Sequence, residues 1–184
     1  MRPLPVVLIG GVLLGAGVFF YSRRAAASVD MGRDSPAVGG VLQDVLVAVS
    51  GIGSRGIRNN NPGNIRESEL DKTLWQGERA TDDDAAFEEF DTPEAGIRAM
   101  VVILKNYRRR GIVTVEQIIP TWAPAADHND VAAYIQSVSN FMSFPINQVI
   151  LDSDFPALVA AIIKHENGIQ PYDMATIERG VNAA

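Results

Sequence analysis

The sequence contains no cysteine, which removes disulfide frameworks, thiolate nucleophiles and cysteine-ligated zinc together. Its two histidines, His128 and His165, lie far apart and outside any HExxH-type spacing. No serine occupies a Gly-x-Ser-x-Gly setting, and no glycine-rich phosphate loop leads from a strand into a helix. No metal and no cofactor are therefore expected. Positive charge is also scarce: 16 Lys and Arg against 22 Asp and Glu leave a net charge of −6, which argues against nucleic acid as a partner. The one basic run, Arg108-Arg109-Arg110, falls at a helix end, where cations suit the dipole. Neither internal repeats nor a sustained period-two alternation is present, so no extended sheet is expected. Carboxylates are what remain for chemistry.

Hydrophobic residues make up 47% of the chain, and the excess sits at the start. Pro3 to Tyr21 is an uncharged apolar run, just long enough for a helix crossing the hydrocarbon core, which takes about twenty residues. Gly11 and Gly15 form a GxxxG pair, and Phe19, Phe20 and Tyr21 stand where an interfacial aromatic belt would lie. Arg23 and Arg24 follow directly, like a stop-transfer flank, which favours an uncleaved anchor. The alternative is a signal peptide cut near Ala25-Ala26-Ala27-Ser28. One arginine precedes the run and two follow it, so charge bias alone places the remainder of the chain on the cytoplasmic side, by a single charge. We divide the chain into an anchor or uncleaved signal (1–24), a linker (25–54) and a domain (55–184). The linker is rich in Ala, Gly and Ser, and Val41 to Val49 is apolar enough for a short amphipathic helix.

The domain opens on Gly56 to Arg66, GIRNNNPGNIR. Asparagine and glycine tolerate left-handed backbone, proline presets φ, and asparagine side chains bond the nearby backbone, so this is a shaped polar loop. Residues 67–91 read as irregular, with Asp82-Asp83-Asp84 a solvated turn. Thr92 as N-cap, Pro93 at the first helical position and Glu94 in the first turn then start a long helix ending before Gly111. A capping box at Thr114–Gln117 opens a short helix over Val115 to Thr121. Asp127 to Asp130 precede another, carrying Val131, Tyr134, Ile135 and Val138 on one stripe. The last strong helix runs from about Phe155 to Glu166 or Asn167, stopped by Gly168, and a short tail helix spans Met174 to Arg179. The fold class expected is all-α, with irregular excursions before Asp91.

Glu166 is the leading candidate acid. The stripe Phe155, Val159, Ile162, Ile163 continues onto it, and it sits in the last helical turn, where the dipole opposes a negative charge. Burial and the dipole both raise a carboxyl pKa, the condition for proton donation near neutrality. Glu89, between Phe87 and Phe90, and Glu67, beside the asparagine loop, are the alternatives. Glu88-Glu89 also reads as a solvated pair on an exposed turn. Trp75, Trp122, Tyr107 and Tyr134 are more often core residues than ligand platforms, although Trp75-Gln76-Gly77 beside an asparagine-rich loop suits stacking on a sugar.

Taken in order, the NNPGNIR segment, Trp75-x-Gly77, Phe87-x-x-Phe90, Gly96-Ile97-Arg98-Ala99, Trp122-Ala123-Pro124 and Tyr134-Ile135 resemble phage and prophage virion-associated lytic or structural proteins with a lysozyme-like domain. The succession is also similar to a segment of bacterial glucosaminidases and lytic transglycosylases. The resemblance covers about residues 55–172. It implies a lysozyme-like domain, preceded here by a transmembrane helix and flexible linker, acting on peptidoglycan at the periplasmic or wall side of a bacterial or virion membrane. Other virion proteins are further partners it would allow. Asn61, Asn64, Gln76 and Tyr134 would bind the substrate, and Trp75 would stack on it. In enzymes of this kind the acid usually precedes the asparagine segment, yet no glutamate occurs before Glu67, so the role falls to Glu166. The alternative is a virion structural protein whose degenerate domain binds the wall or a partner without cutting it.

Overall fold

A computed structural model describes residues 53–67, 74–81, 83–127 and 129–184. The apolar run, the linker to residue 52, the 41–49 segment, Glu69, Asp82 and His128 lie outside the described residues. Among the described residues no helix is long and apolar enough to cross a membrane.

Among the described residues the architecture is six α-helices with irregular segments between them. In chain order they are α1 (Arg55–Arg58), α2 (Pro93–Arg109), α3 (Val115–Trp122), α4 (Val131–Met142), α5 (Phe155–Asn167) and α6 (Met174–Asn182). Single 3-10 turns at Ala125–Asp127 and Asp152–Asp154 lead into α4 and α5. The described residues hold no named strand, only isolated antiparallel bridges, Arg66 to Phe87, Glu78 to Phe90 and Thr114 to Val149. The all-α expectation therefore stands.

Local chemistry sets the helix ends. Thr92 accepts the Ala95 N–H, Asp130 the Ala133 N–H and Asp173 the Thr176 N–H, each relieving a donor left over in a first turn. The side chain of Gln117 reaches back to the N–H groups of Val113 and Thr114. Gly168, at φ 74°, ends α5 in the left-handed conformation that a side chain would resist. Pro120 lies within α3, which extends to Trp122, one residue beyond the end expected from sequence. The tail helix likewise runs on to Asn182.

The core is continuous. Ile97, Met100, Val101, Ile103 and Leu104 of α2 meet Ile118, Ile119 and Trp122 of α3, Val138 of α4, and Leu158, Val159, Ile162 and Ile163 of α5. Helices α2 and α6 make the most extensive pairing. Gly180 permits it, because a Cβ there would lie 2.5 Å from Ile97 Cγ2 and 2.9 Å from the Glu94 carbonyl. Arg179 closes the same junction by pairing with Glu94 at 2.8 Å.

The described residues between 53 and 91 are bonded to one another rather than forming a loose connector. The Ile65–Glu67 segment pairs with 86–88, through Glu88 N to Ile65 O and Glu67 N to Ala86 O. On the far side, Arg79 N donates to Glu89 O and Asp91 N to Gly77 O. The solvated reading of this region needs correction: Glu88 and Glu89 are buried, and Asp84 is engaged by Arg55 and by the Asn59 amide.

Candidate active site

The asparagine loop is locked by its own side chains. Asn59 Nδ2 donates to Asp84, and Asn60 Nδ2 donates to the carbonyls of Phe90 and Asp91. Asn61 is fully buried; its Nδ2 donates to Ile65 O and Glu88 O, and its Oδ1 accepts from Ile65 N. Each of these groups would be costly to bury unpaired, so the side chains hold the loop to the 84–91 segment. Asn60 and Asn64 both take the left-handed conformation, at φ 50° and 51°, as the residue type allows. The loop lies directly on α2, where a Cβ at Gly96 would come within 2.0 Å of the Asn60 carbonyl. A Cβ at Gly63 would meet Met100 and Trp122, both at 2.8 Å. Glycine at both positions is what lets backbone approach helix so closely.

Asn64 behaves differently from its neighbours. Its Nδ2 donates at 2.9 Å to Glu166 Oε2, across 102 residues of sequence. The other carboxylate oxygen, Oε1, accepts from the Tyr134 hydroxyl at 2.7 Å. The next residue, Asn167, donates to Pro62 O and Ile163 O and accepts from the Ser54 hydroxyl. The last turn of α5 is thus docked onto the asparagine loop at two consecutive residues, with α4 supplying the tyrosine. Gly56 of α1 sits against the same junction: a Cβ there would lie 2.7 Å from Asn64 Oδ1 and 2.9 Å from Asn167 Oδ1.

Electrostatics follow from the burial. Glu166 is only 8% exposed. Removal from water raises its pKa above the ordinary carboxylate value, while the donors Asn64, Tyr134 and the Trp122 indole pull in the opposite direction. Trp122 is wholly buried, and its Nε1–H forms no hydrogen bond of normal geometry. Burial and the neighbouring Glu166 hold the Tyr134 phenol well above its usual range, which keeps it a donor. His165 stacks on the Tyr134 ring, centroids 3.5 Å apart and planes 15° from parallel, and partial burial lowers its pKa. It is neutral at pH 7. The arrangement is one carboxyl group that retains its proton to higher pH than usual, fixed in orientation by donors from the asparagine loop and α4.

A second group of carboxylates surrounds Trp75. Oxygens of Glu67, Glu78 and Glu88 lie within 4.8 Å of one another; the Trp75 indole donates to Glu88 at 3.2 Å and its backbone N–H to Glu78 at 2.7 Å. Three carboxylates at this separation are the oxygen set a hard divalent cation prefers. Sequence gave no hint of it, because the three are spread across two irregular segments.

The candidates from sequence therefore separate. Glu166, Asn64 and Tyr134 converge, Tyr134 as a buried partner of the acid rather than a platform open to a ligand. Trp75 joins the Glu67 group, half-buried, and Gln76 is exposed beside it. Asn61 has its side chain bonded to Ile65 and to the Glu88 carbonyl. Glu89 is likewise engaged, accepting from Arg79 at 2.7 Å and from the N–H groups of Asp83 and Asp84. Trp122, His165 and Asn167 were not singled out as functional. The signal available for the last two was the polar trio His165-Glu166-Asn167 closing an otherwise apolar helix.

No family model matches the chain. Over 128 residues it is 44% identical to Protein P5 of Pseudoalteromonas phage PM2, an alignment spanning 69% of this chain and 79% of that protein. The chain belongs to the P5 family of phage proteins. The phage part of the resemblance read from sequence is thereby supported. A member of this family thus carries, on an all-α domain, a buried glutamic acid gripped by an asparagine loop.

Proposed function

We propose that this P5-family chain cleaves the glycan strand of peptidoglycan, with Glu166 as the proton donor. The observation that carries the reading is the 2.9 Å bond between Asn64 and Glu166, which joins the raised-pKa carboxyl to the polar loop. In the reaction the Glu166 proton passes to the glycosidic oxygen as the C–O bond breaks. In a lytic transglycosylase the resulting carboxylate then takes a proton from the sugar hydroxyl that closes the anhydro ring, so a single carboxyl serves twice. A hydrolase would need a second carboxylate to activate water or form an intermediate. Glu89 is held by Arg79, and Glu67 lies in the Trp75 group, so the one-carboxyl route fits better. Trp75 and Gln76 would meet the sugars, Asn64 would orient the acid, and residues 3–21 would anchor the chain in the virion or inner membrane with the domain facing the wall.

A second reading rests on a specific observation: both Glu166 oxygens already accept hydrogen bonds within a nearly closed surface. In that reading the carboxyl is a structural clasp between loop, α4 and α5, and the protein is a non-enzymatic virion component. The test is to incubate the full chain with purified peptidoglycan, follow turbidity, and identify released fragments by mass. Anhydro-muropeptides lost in Glu166→Gln support the transglycosylase. Reducing ends would indicate a hydrolase. Binding without release, equal in both proteins, would leave the structural reading.

A further inference from the structure

Six large apolar side chains are strongly exposed among the described residues, and four of them fall between 141 and 151: Phe141, Ile146, Val149 and Leu151, at 48%, 38%, 48% and 53%. Concentrated exposure of this kind marks a contact surface rather than the scatter normal on a protein. The segment also has a defined position. Ile150 is buried beneath it and donates to Val113 O, Val149 bridges to Thr114, and the Arg108 guanidinium reaches Ile150 O and Asp152. Val149 and Leu151 therefore run beside the C-terminal end of α2, where Arg109 and Arg110 are exposed and form no ion pair with a described residue. Of the acids nearby, Asp152 is paired with Arg108, while Asp154, which accepts the Leu151 N–H, and Glu116 keep their charges.

We infer that this face, Phe141, Ile146, Val149 and Leu151 flanked by Arg109 and Arg110, seats on an anionic lipid surface. Apolar side chains beside unpaired arginines combine the two attractions that hold a protein at a bilayer interface, burial of apolar surface and attraction to anionic headgroups. The chain outside the described residues supplies the means. Residues 3–21, outside the described residues, are apolar and uncharged. The patch leads into the start of α5, and Glu166 lies in its last turn, about 16 Å along the helix from Phe155. The inference is independent of whether Glu166 is catalytic.

The absence of native cysteine makes the test direct. In the full chain, Asn147→Cys, exposed within the patch, and Glu178→Cys, exposed on α6, each carry an environment-sensitive dye. Vesicles are made of phosphatidylcholine with or without phosphatidylglycerol, and with lipids brominated along the acyl chain as quenchers. With phosphatidylglycerol, the dye at 147 should shift to shorter wavelength and be quenched at least twofold, whereas the dye at 178 should not. Arg109→Glu with Arg110→Glu should remove most of that quenching. If the chain floats with the vesicles while both dyes behave alike, the anchor stands and the seat is wrong. A chain that does not float overturns both. A shift at 147 already present in detergent, and rising with protein concentration, would assign the face to a second copy and overturn the lipid seat.

Discussion

Glu166 is held by Asn64 of the loop and Tyr134 of α4, and its burial has consequences that can be measured apart from any substrate. Its pKa in the folded protein lies above the ordinary value of 4.5 that it regains on unfolding. Between those two values the folded state binds more protons, so this group's contribution is complete below about pH 4.5 and is lost as pH rises through the folded pKa. Thermal melts across that range should show Glu166→Gln losing less stability with rising pH than the natural protein. Parallel pH dependences would mean the carboxyl titrates normally. Tyr134→Phe removes a donor that lowers the Glu166 pKa. If Glu166 is the acid, the alkaline limb of the pH–rate profile should move to higher pH, and stability should fall by about 1–3 kcal/mol.

At the scale of elements, the asparagine loop works because it is braced on both sides. Against α2 the brace is steric. Gly96→Ala would place a Cβ 2.0 Å from the Asn60 carbonyl, so loop or helix must move. A destabilisation of about 1–3 kcal/mol is expected from such overpacking, together with a loss of activity larger than the loss of folded protein. Against the 79–91 segment the brace is electrostatic. Glu89 holds Arg79 and the N–H groups of Asp83 and Asp84, so Glu89→Ala should lower stability by about 2–3 kcal/mol in chemical denaturation. Glu89→Gln, which keeps the shape and an acceptor, should recover part of that loss and leave the pH–rate profile unchanged. A shifted profile would instead give Glu89 a place in the chemistry.

At the scale of the whole domain, α6 is structural. It covers the Ile97 face of α2, and Arg98 and Lys105 reach the carbonyls of Ala183 and Ala184. Removing residues 174–184 would expose that face and break the Arg179–Glu94 pair, and far-ultraviolet circular dichroism should show loss of cooperative melting. Ile97→Ala, wholly buried, should cost about 2–5 kcal/mol by the cavity it leaves.

The helices were legible from sequence because their causes are local: Thr92-Pro93-Glu94, the Thr114–Gln117 box and Gly168 each act within a few residues. Glu166 was legible for a similar reason, since helical spacing alone continues the apolar stripe onto it. The asparagine loop was recognisable as shaped, but not the division of labour within it. Asn61 and Asn64 are the same residue type three positions apart, and only the packing of residues 84–91 and α5 turns one inward to the loop and the other to the acid. The burial of Glu88 and Glu89, the meeting of Glu67 and Glu78 with Glu88, and the stacking of His165 on Tyr134 were equally invisible. Each depends on contacts between segments that no local periodicity relates. Sequence by itself determined the helices and the one inward-facing acid; tertiary structure decided which polar side chains brace the domain and which one meets that acid, because side-chain hydrogen bonds across 102 residues are set by how the elements pack.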